Sequence, residues 1–263
     1  MLSDLIKKVA LALFLFCAAV LAQKPGDLRV CSTKAPAPLI AKLQQTNSKG
    51  PRNISGEELA ALRGYLWQPG STLKVAFVDG DPKVQAKIAQ VAMEWTKYAN
   101  IHFAFDGADP QLADIRISFD PNTGSWSYIG RAALSHRGVP TMNYGWLKAG
   151  TKQEEYNRVV LHEFGHALGM IHEHQSPNVD IQWNTQAVYN YYWKTNHWTQ
   201  KDVDQQIFYR YPADSMDATD ADRTSIMMYA FEKSLTQNGF ETGWNRQLSE
   251  TDQKKISQLY PKN

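Results

Sequence analysis

The chain has 263 residues, 43% of them hydrophobic, and a formal net charge of +2 at pH 7. This length is enough for one sizeable domain or for two lobes around a cleft. The nearly balanced charge argues against binding to nucleic acid or to an anionic membrane, because both need a marked basic excess.

Residues 1–22 have the pattern of a secretory signal peptide. Lys7 and Lys8 precede an apolar run over residues 9–21, and Ala22 stands at the expected cleavage point before Gln23. The run is short for a membrane span, and the alternatives are an uncleaved anchor or a buried helix. We therefore expect a secreted, extracellular protein that has no membrane association once the signal is cleaved.

Residues 23–65 are polar and interrupted by prolines, which predicts a loosely structured leader or propeptide with a short helix near residues 57–63. The chain without its signal peptide keeps one cysteine, Cys31, and so forms no internal disulfide. That thiol is inert, pairs with another molecule or binds a metal. Asn53 begins the only glycosylation sequon.

The segment 66–172 is predicted to form an N-terminal lobe. Asp81 is a good N-cap and Pro82 fits the first turn of a helix that runs to about Ala99. A second, longer helix is predicted over about residues 154–168. Strands are predicted at residues 72–78, 101–105, 115–119, 124–130 and 141–146. The expected fold class is α+β, a twisted five-stranded mixed sheet with helices packed on it.

The segment 173–263 is predicted to form an irregular C-terminal lobe that ends in a helix. Apart from a helix over residues 185–193, few regular patterns occur before residue 240. Ser249 can cap a final helix that ends at about Leu259. Aromatic residues of this lobe are expected to be core more often than a substrate pocket: Tyr189, Tyr191, Tyr192, Trp193 and Trp198.

Residues 162–172, with the sequence HEFGHALGMIH, contain the strongest chemical signal of the chain. His162 and His166 are four residues apart and so share one face of a helix. Gly169 can take a positive φ, which lets the chain leave the helix and return His172 as a third ligand. Three neutral imidazoles suit Zn²⁺ and leave a fourth position for water. The alternatives are a chance spacing or a structural zinc, although structural sites usually have four protein ligands.

Glu163 lies one residue after the first histidine, about 100° around the helix. Its carboxylate is therefore expected beside the metal, where it can take a proton from zinc-bound water. This combination predicts a hydrolytic site.

The motif HExxHxxGxxH resembles that of the metzincin zinc peptidases, and Glu173 after it is similar to the astacin branch. The segment 225–229, SIMMY, resembles the methionine turn of that branch, with Met227 beneath the metal ligands. The segment 124–130 resembles its edge strand. Residues 113–117 look more like a matrixin strand. The resemblance covers about residues 66–260 and implies a zincin-like metallopeptidase fold with one Zn²⁺ per chain.

The resemblance also implies roles for individual residues. Tyr229 would coordinate zinc at rest and then hydrogen-bond the oxyanion, unless it is only a packed core residue. The edge strand would pair with extended substrate through Ser125, Trp126, Ser127 and Tyr128. The expected protein is a secreted, monomeric zinc metalloendopeptidase that cleaves protein or peptide substrates with Glu163 as the base.

The sequence departs from the astacin pattern at Ser125, Ser176 and Met228, where that family has cysteine, arginine and histidine. We therefore expect an astacin-like metzincin without disulfides. Cys31 or Asp27 of the leader can block the water position. Two other functions stay open, a secreted non-catalytic binding protein on a metallopeptidase scaffold and a zinc hydrolase of non-peptide bonds. Glu163 argues against the first.

Overall fold

The structure, a computed structural model, describes residues 30–34, 64–211 and 221–262. The predicted signal peptide, Asp27, the helix expected near residues 57–63 and the sequon at Asn53 lie outside these ranges. Within them, no helix has the length and apolar character needed to cross a membrane.

One mixed sheet of six strands forms the N-terminal lobe. Five strands come from the body of the chain and lie within the predicted ranges: β2 Thr72–Phe77, β3 His102–Ala104, β4 Ile115–Ser118, β5 Ser125–Tyr128 and β6 Met142–Tyr144. The leader supplies the sixth, β1 Ser32–Lys34. The order is β1-β5-β6-β4-β2-β3. Only the β5–β6 pair is antiparallel among the described strands, so the mixed sheet and the α+β class are confirmed.

Strand β1 lies in the segment that was expected to be loosely structured. The prediction of a loosely structured leader is wrong for these three residues, which pair in parallel with β5 and place Lys34 opposite Tyr128. The physical reason is that β5 would otherwise present unpaired backbone groups at the sheet edge, and an extended segment satisfies them. A stretch of three polar residues has too little periodicity to predict this pairing.

Two helices pack together against the sheet. Helix α1, Pro82–Ala92, begins at the predicted N-cap, where Asp81 accepts a hydrogen bond from the Lys83 backbone at 2.8 Å. A 3₁₀ turn continues it, and the indole of Trp95 in that turn donates to a carbonyl of α2, Gln153–Ala167, at 3.0 Å. The shared core fixes α2 relative to the sheet through buried apolar side chains: Val75, Ile88, Ile115, Ile117, Val159, Val160 and Phe164.

The C-terminal lobe contains a second apolar cluster. The helices of this lobe are α3 Thr185–Asn196, α4 Gln200–Val203 and α5 Glu250–Leu259, with a π-helical turn at Asp204–Phe208. Tyr192 of the predicted aromatic cluster is core, whereas Trp193 is 60% exposed. Helix α5 begins with the predicted cap at Ser249.

Candidate metal centre and active-site cleft

The end of α2 creates the geometry that three metal ligands require. Gly169 has a φ of +94°, and its backbone NH donates to the carbonyl of His166 at 2.8 Å. A side chain at this position would be strained, and a Cβ would lie 2.5 Å from Cδ2 of Leu66. Glycine therefore lets the chain turn sharply, so that His172 lies beside the two histidines of the helix.

The three imidazoles converge through their ring nitrogens. The Nε2 atom of His166 lies 3.2 Å from Nε2 of His162 and 3.1 Å from Nε2 of His172. Among the residues that the structure describes, these three are the group able to hold a metal ion, and all are buried. Ligands about 2.05 Å from a tetrahedral zinc lie roughly 3.3 Å apart, so the observed spacing fits.

Hydrogen bonds to the backbone fix the tautomers of two of these rings. The Nδ1 atoms of His162 and His166 lie 2.8 and 2.9 Å from the carbonyl oxygens of Ile226 and Met170. A carbonyl only accepts, so each Nδ1 donates and each Nε2 keeps a lone pair toward the centre. Burial lowers the pKa of all three histidines, that of His166 to about 4, and holds the rings neutral as zinc ligation requires.

The methionine turn lies beneath the helix. Met227 is fully buried, and a Cβ at Gly165 of α2 would overlap its sulfur. Asp252 of α5 holds this turn, because its carboxylate accepts from the Ser225 hydroxyl and the Ile226 backbone at 2.7 Å each. The sequence predicts only the cap of α5, to which Asp252 also contributes. Its second contact joins two segments far apart in the chain, so no local pattern could indicate it.

Glu163 lies on α2 beside this centre with its side chain fully buried. Neither carboxylate oxygen has a hydrogen-bond partner of ordinary geometry among the described residues. Burial raises the Glu163 pKa to about 8, although the Cys31 thiol and the charge of Arg158 act in the opposite direction. A buried carboxylate without a fixed partner is available to exchange a proton.

The leader occupies the space that the three ring nitrogens face. The hydroxyl of Thr33 lies 3.0 Å from Nε2 of His166 and 3.1 Å from Nε2 of His172. The Tyr229 hydroxyl donates to the carbonyl oxygen of Cys31. The sequence indicated Cys31, whereas no pattern in it indicated Thr33. The Cys31 thiol lies beside Glu163. Burial and the negative charge of Glu163 raise the pKa of this thiol. The group able to hold a metal consists of the three histidines and does not include Cys31.

Tyr229 is buried next to the metal-binding rings. Its ring centroid lies 4.2 Å from that of His172 and 5.9 Å from that of His162. His174 packs against both Tyr229 and His172, with ring centroids 4.7 and 5.2 Å away. Its Nε2 donates to the Gln206 carbonyl at 2.9 Å.

The four predicted substrate-binding residues form β5. Ser125 and Ser127 are fully buried. The other two, Trp126 and Tyr128, have their rings 6.0 Å apart and face the side chain of Lys34 from β1. The leader therefore pairs with the strand expected to pair with substrate.

A small cavity beside His162 contains a charged residue that the sequence analysis missed. Arg158 lines it together with Cys31 and Tyr229. The guanidinium pairs with Glu155 through contacts of 2.8 and 2.7 Å and stacks on Trp244 at 4.3 Å. The position of Arg158, four residues before His162 on the same helix face, was the available signal.

The chain is similar to a known family of peptidases over most of its length. The family model for astacin (peptidase family M12A) matches residues 63–261. A solved structure of myroilysin is similar with a TM-score of 0.73 and 43% identity, and the match covers 77% of this chain and 98% of that one. A second myroilysin crystal structure has a TM-score of 0.63 and 36% identity, covering 91% and 94%.

A more distant match supports the fold alone. High choriolytic enzyme 1, a hatching-enzyme zinc protease from the medaka fish Oryzias latipes, has a TM-score of 0.55 at 16% identity. That match covers 81% of this chain and 100% of the other. The search of curated protein sequences found no match.

Proposed function

We propose a mechanism and a maturation route for this chain, which belongs to the astacin family and is a zinc metalloendopeptidase. We propose that it is secreted and acts outside the cell as a monomer with one Zn²⁺. Its substrates are proteins or peptides. The observation that carries the mechanism is the convergence of three imidazole lone pairs beside a buried carboxylate, Glu163, that has no ordinary hydrogen-bond partner among the described residues.

His162, His166 and His172 would hold the metal through their ring nitrogens. When bound, Zn²⁺ supplies a Lewis acid for the scissile carbonyl and lowers the pKa of a water molecule toward neutrality. The backbone carbonyls that accept from two Nδ1 atoms keep these rings oriented and their ligating nitrogens free of protons.

Glu163 then acts as the general base. It takes the proton of the attacking water and passes it to the nitrogen of the leaving amine. Tyr229 already donates its hydroxyl to a carbonyl oxygen, that of Cys31, within the same cleft. With the leader removed, the same hydroxyl can donate to the oxyanion that develops on the scissile carbonyl. Met227 contributes only a rigid apolar floor.

The leader, residues 23–65, acts as a propeptide in this proposal, and the catalytic domain is residues 66–263. Three contacts support latency. Strand β1 pairs with the proposed substrate strand β5, and the Thr33 hydroxyl lies within hydrogen-bond distance of the metal-binding nitrogens. The third is the hydrogen bond that the Tyr229 hydroxyl donates to the Cys31 carbonyl. Of the two blocking residues expected from sequence, Asp27 lies outside the described residues and the Cys31 thiol lies at Glu163. The hydroxyl of Thr33 lies within hydrogen-bond distance of two of the ligating nitrogens.

A quenched fluorescent peptide assay on the processed, zinc-loaded protein tests the proposal. We expect cleavage that a chelator abolishes and added zinc restores. Glu163→Gln should lose about 10²- to 10⁴-fold in kcat while it still binds zinc, because only the base is removed. The matched control is Glu154→Gln, an exposed acid on the same helix, which should retain activity.

The alternatives predict different results. No cleavage by properly processed, zinc-loaded protein would favour a non-catalytic binding protein on this scaffold. Zinc-dependent cleavage of an ester or amide of small size, without cleavage of any peptide, would favour a non-peptide hydrolase. Full activity of Glu163→Gln would refute the assignment of the base and leave the metal site intact.

A further inference from the structure

We propose that the edge strand β5 contains a subsite for a positively charged substrate side chain, formed by the rings of Trp126 and Tyr128. This inference rests on the proposed function and specifies the substrate class of the same cleft, peptides with lysine or arginine at one defined position. The observation behind it is the position of Lys34 of the leader. Its Nζ lies 3.2 Å from the centre of the Trp126 ring and 5.8 Å from that of Tyr128.

The body of the protein, not the leader, holds these rings in place. Trp126 and Tyr128 are two residues apart on a strand, so their side chains share one face. Their rings meet edge to face at 6.0 Å and 88°. The indole of Trp126 donates to the Thr123 hydroxyl at 3.3 Å, and His136 stacks on Tyr128 at 4.1 Å. The subsite therefore persists when the leader leaves.

The chemistry of this subsite favours a cation. An ammonium within about 6 Å of a ring face is attracted by the negative quadrupole of the ring, and tryptophan gives the strongest attraction. Lys34 is half-buried, and no carboxylate of the described residues forms an ion pair with it. The rings are thus the groups that offset the loss of water around its charge. A carboxylate at the same place would face the negative side of both rings.

The leader lies in the cleft as a substrate is proposed to lie. Strand β1 pairs with β5 through its backbone, and Thr33 contacts the metal-binding nitrogens. Lys34 is the next residue, so its side chain marks a position close to the reacting centre. A substrate strand on the same edge presents alternate side chains to the same face of the sheet. The side chain that takes the place of Lys34 meets the same two rings.

A lysine scan of peptide substrates tests this inference. The full-length, zinc-loaded chain is activated by limited proteolysis and given quenched fluorescent peptides derived from one neutral parent. In each derivative a single residue, on one side or the other of the cleaved bond, is replaced by lysine, norleucine or glutamate. At one position kcat/KM for lysine should exceed that for norleucine by about 3- to 30-fold, the range of a cation–π contact. Glutamate should be poorer than norleucine.

Substitution of the tryptophan should reduce this preference in steps. The ratio of lysine to norleucine is expected to fall in Trp126→Phe and to approach one in Trp126→Leu. Since the ratio is taken within each variant, general losses of activity cancel. Cleavage without a lysine preference at any position would overturn the subsite and leave the proposed function standing. Failure to cleave any peptide would count against the proposed function instead.

A second measurement needs no activity. In the full-length chain, acetylation of Lys34 by an amine-reactive reagent is followed by mass spectrometry. We expect slower labelling in the wild type than in Trp126→Leu, with Trp126→Phe between them. Lys87, whose ammonium lies 4.2 Å over Tyr156, is the control and should react equally in all three. A changed Lys87 rate would identify a misfolded variant. Equal Lys34 rates with unchanged Lys87 rates would overturn the subsite.

Discussion

Gly169 shows how one residue without a side chain positions another that has one. Its left-handed backbone ends α2 and directs His172 toward the metal-binding nitrogens of the helix. The same position packs closely on Leu66, the first residue of the predicted catalytic domain. The backbone angle follows from the motif spacing. The contact with Leu66 does not, because it joins residues about a hundred positions apart in sequence.

Substitution of this glycine should weaken both folding and metal binding. Gly169→Ala forces an L side chain into a positive φ and into contact with Leu66, so we expect a loss of about 1–3 kcal/mol in the free energy of unfolding. Zinc affinity should fall because His172 moves. Gly107→Ala is the matched control, since Gly107 has a φ of +63° but no atom within 4 Å of a built Cβ.

Denaturant melts and zinc titrations of both variants provide the comparison. The control should show only the cost of backbone strain and an unchanged zinc affinity. If Gly169→Ala matched the control in both measurements, the close packing at Leu66 would have no part in shaping the site.

The residues that sequence reasoning found and those it missed differ in how local their signals are. His162, Glu163 and His166 are recognisable because helical spacing alone puts them together. Asp252 and Thr33 reach the site from the ends of the chain, and neither is preceded by a pattern that indicates a partner. Arg158 is intermediate, since its helix face was predictable but its cavity depends on Trp244 of the other lobe.

At the scale of elements, α5 supports the metal centre from a distance. The carboxylate of Asp252 caps this helix at Ser249 and also accepts from the methionine turn. The next link is the carbonyl of Ile226, which accepts from His162. One side chain therefore connects the last helix to the orientation of a metal ligand.

Removal of that carboxylate should have two effects. Asp252→Ala leaves buried donors of Ser225 and Ile226 without partners, which costs about 2–4 kcal/mol in unfolding free energy. Zinc affinity should also fall several-fold, as it does when outer partners of metal ligands are lost. The matched control is Asp202→Ala, because Asp202 forms the same capping box with Thr199 at α4 and its carboxylate accepts from Thr199 rather than from the methionine turn.

Thermal melts and competition with a zinc chelator separate the two contributions. The control should lose only about 0.5–2 kcal/mol, the usual value of a cap, with normal zinc binding. Equal zinc affinities in the two variants would show that the turn keeps its shape without α5.

The sheet and its helices were predictable to a similar degree. All five body strands lie within the ranges that alternation and turn residues indicated, and Ser249 caps the last helix as expected. The strand order was not predictable, because parallel pairs depend on crossovers and on the core rather than on any one segment. Strand β1 was missed for the same reason, as its partner lies some ninety residues further along.

At the scale of the whole molecule, the metal centre joins the two lobes. Its helical ligands belong to the N-terminal lobe, whereas the floor under them, Met227 and its neighbours, comes from the C-terminal lobe. Because a ligand that binds only the folded state adds stability, zinc at a thousand times its Kd contributes about 4 kcal/mol.

Removal of zinc should therefore lower Tm by several degrees. We expect a chelator to shift the calorimetric melt of the full-length chain downward and zinc to restore it. His162→Ala should melt lower from the start and respond little to the chelator. An unchanged Tm in the wild type, with zinc loss verified by elemental analysis, would mean that the lobes hold together without the metal.

The contacts of the leader predict that the uncleaved chain is latent. The full-length chain should have little activity, and cleavage between residues 34 and 66 followed by release of β1 should raise it. Thr33→Val removes the hydroxyl that lies on the ring nitrogens while it keeps the side-chain shape, so this precursor should show premature activity. Cys31→Ser and Asp27→Ala precursors are the comparison. Premature activity only in Cys31→Ser or only in Asp27→Ala would assign the block to that residue instead.

Strand β1 also has a consequence for solubility. Its departure strips a partner from the outer border of the sheet and leaves a row of amide and carbonyl groups open to water. Unpaired backbone groups of this kind can pair with extended segments of other molecules, which promotes aggregation. The precursor hides it. The uncut protein should therefore tolerate crowding and storage better than its trimmed product, quite apart from any restraint on its chemistry.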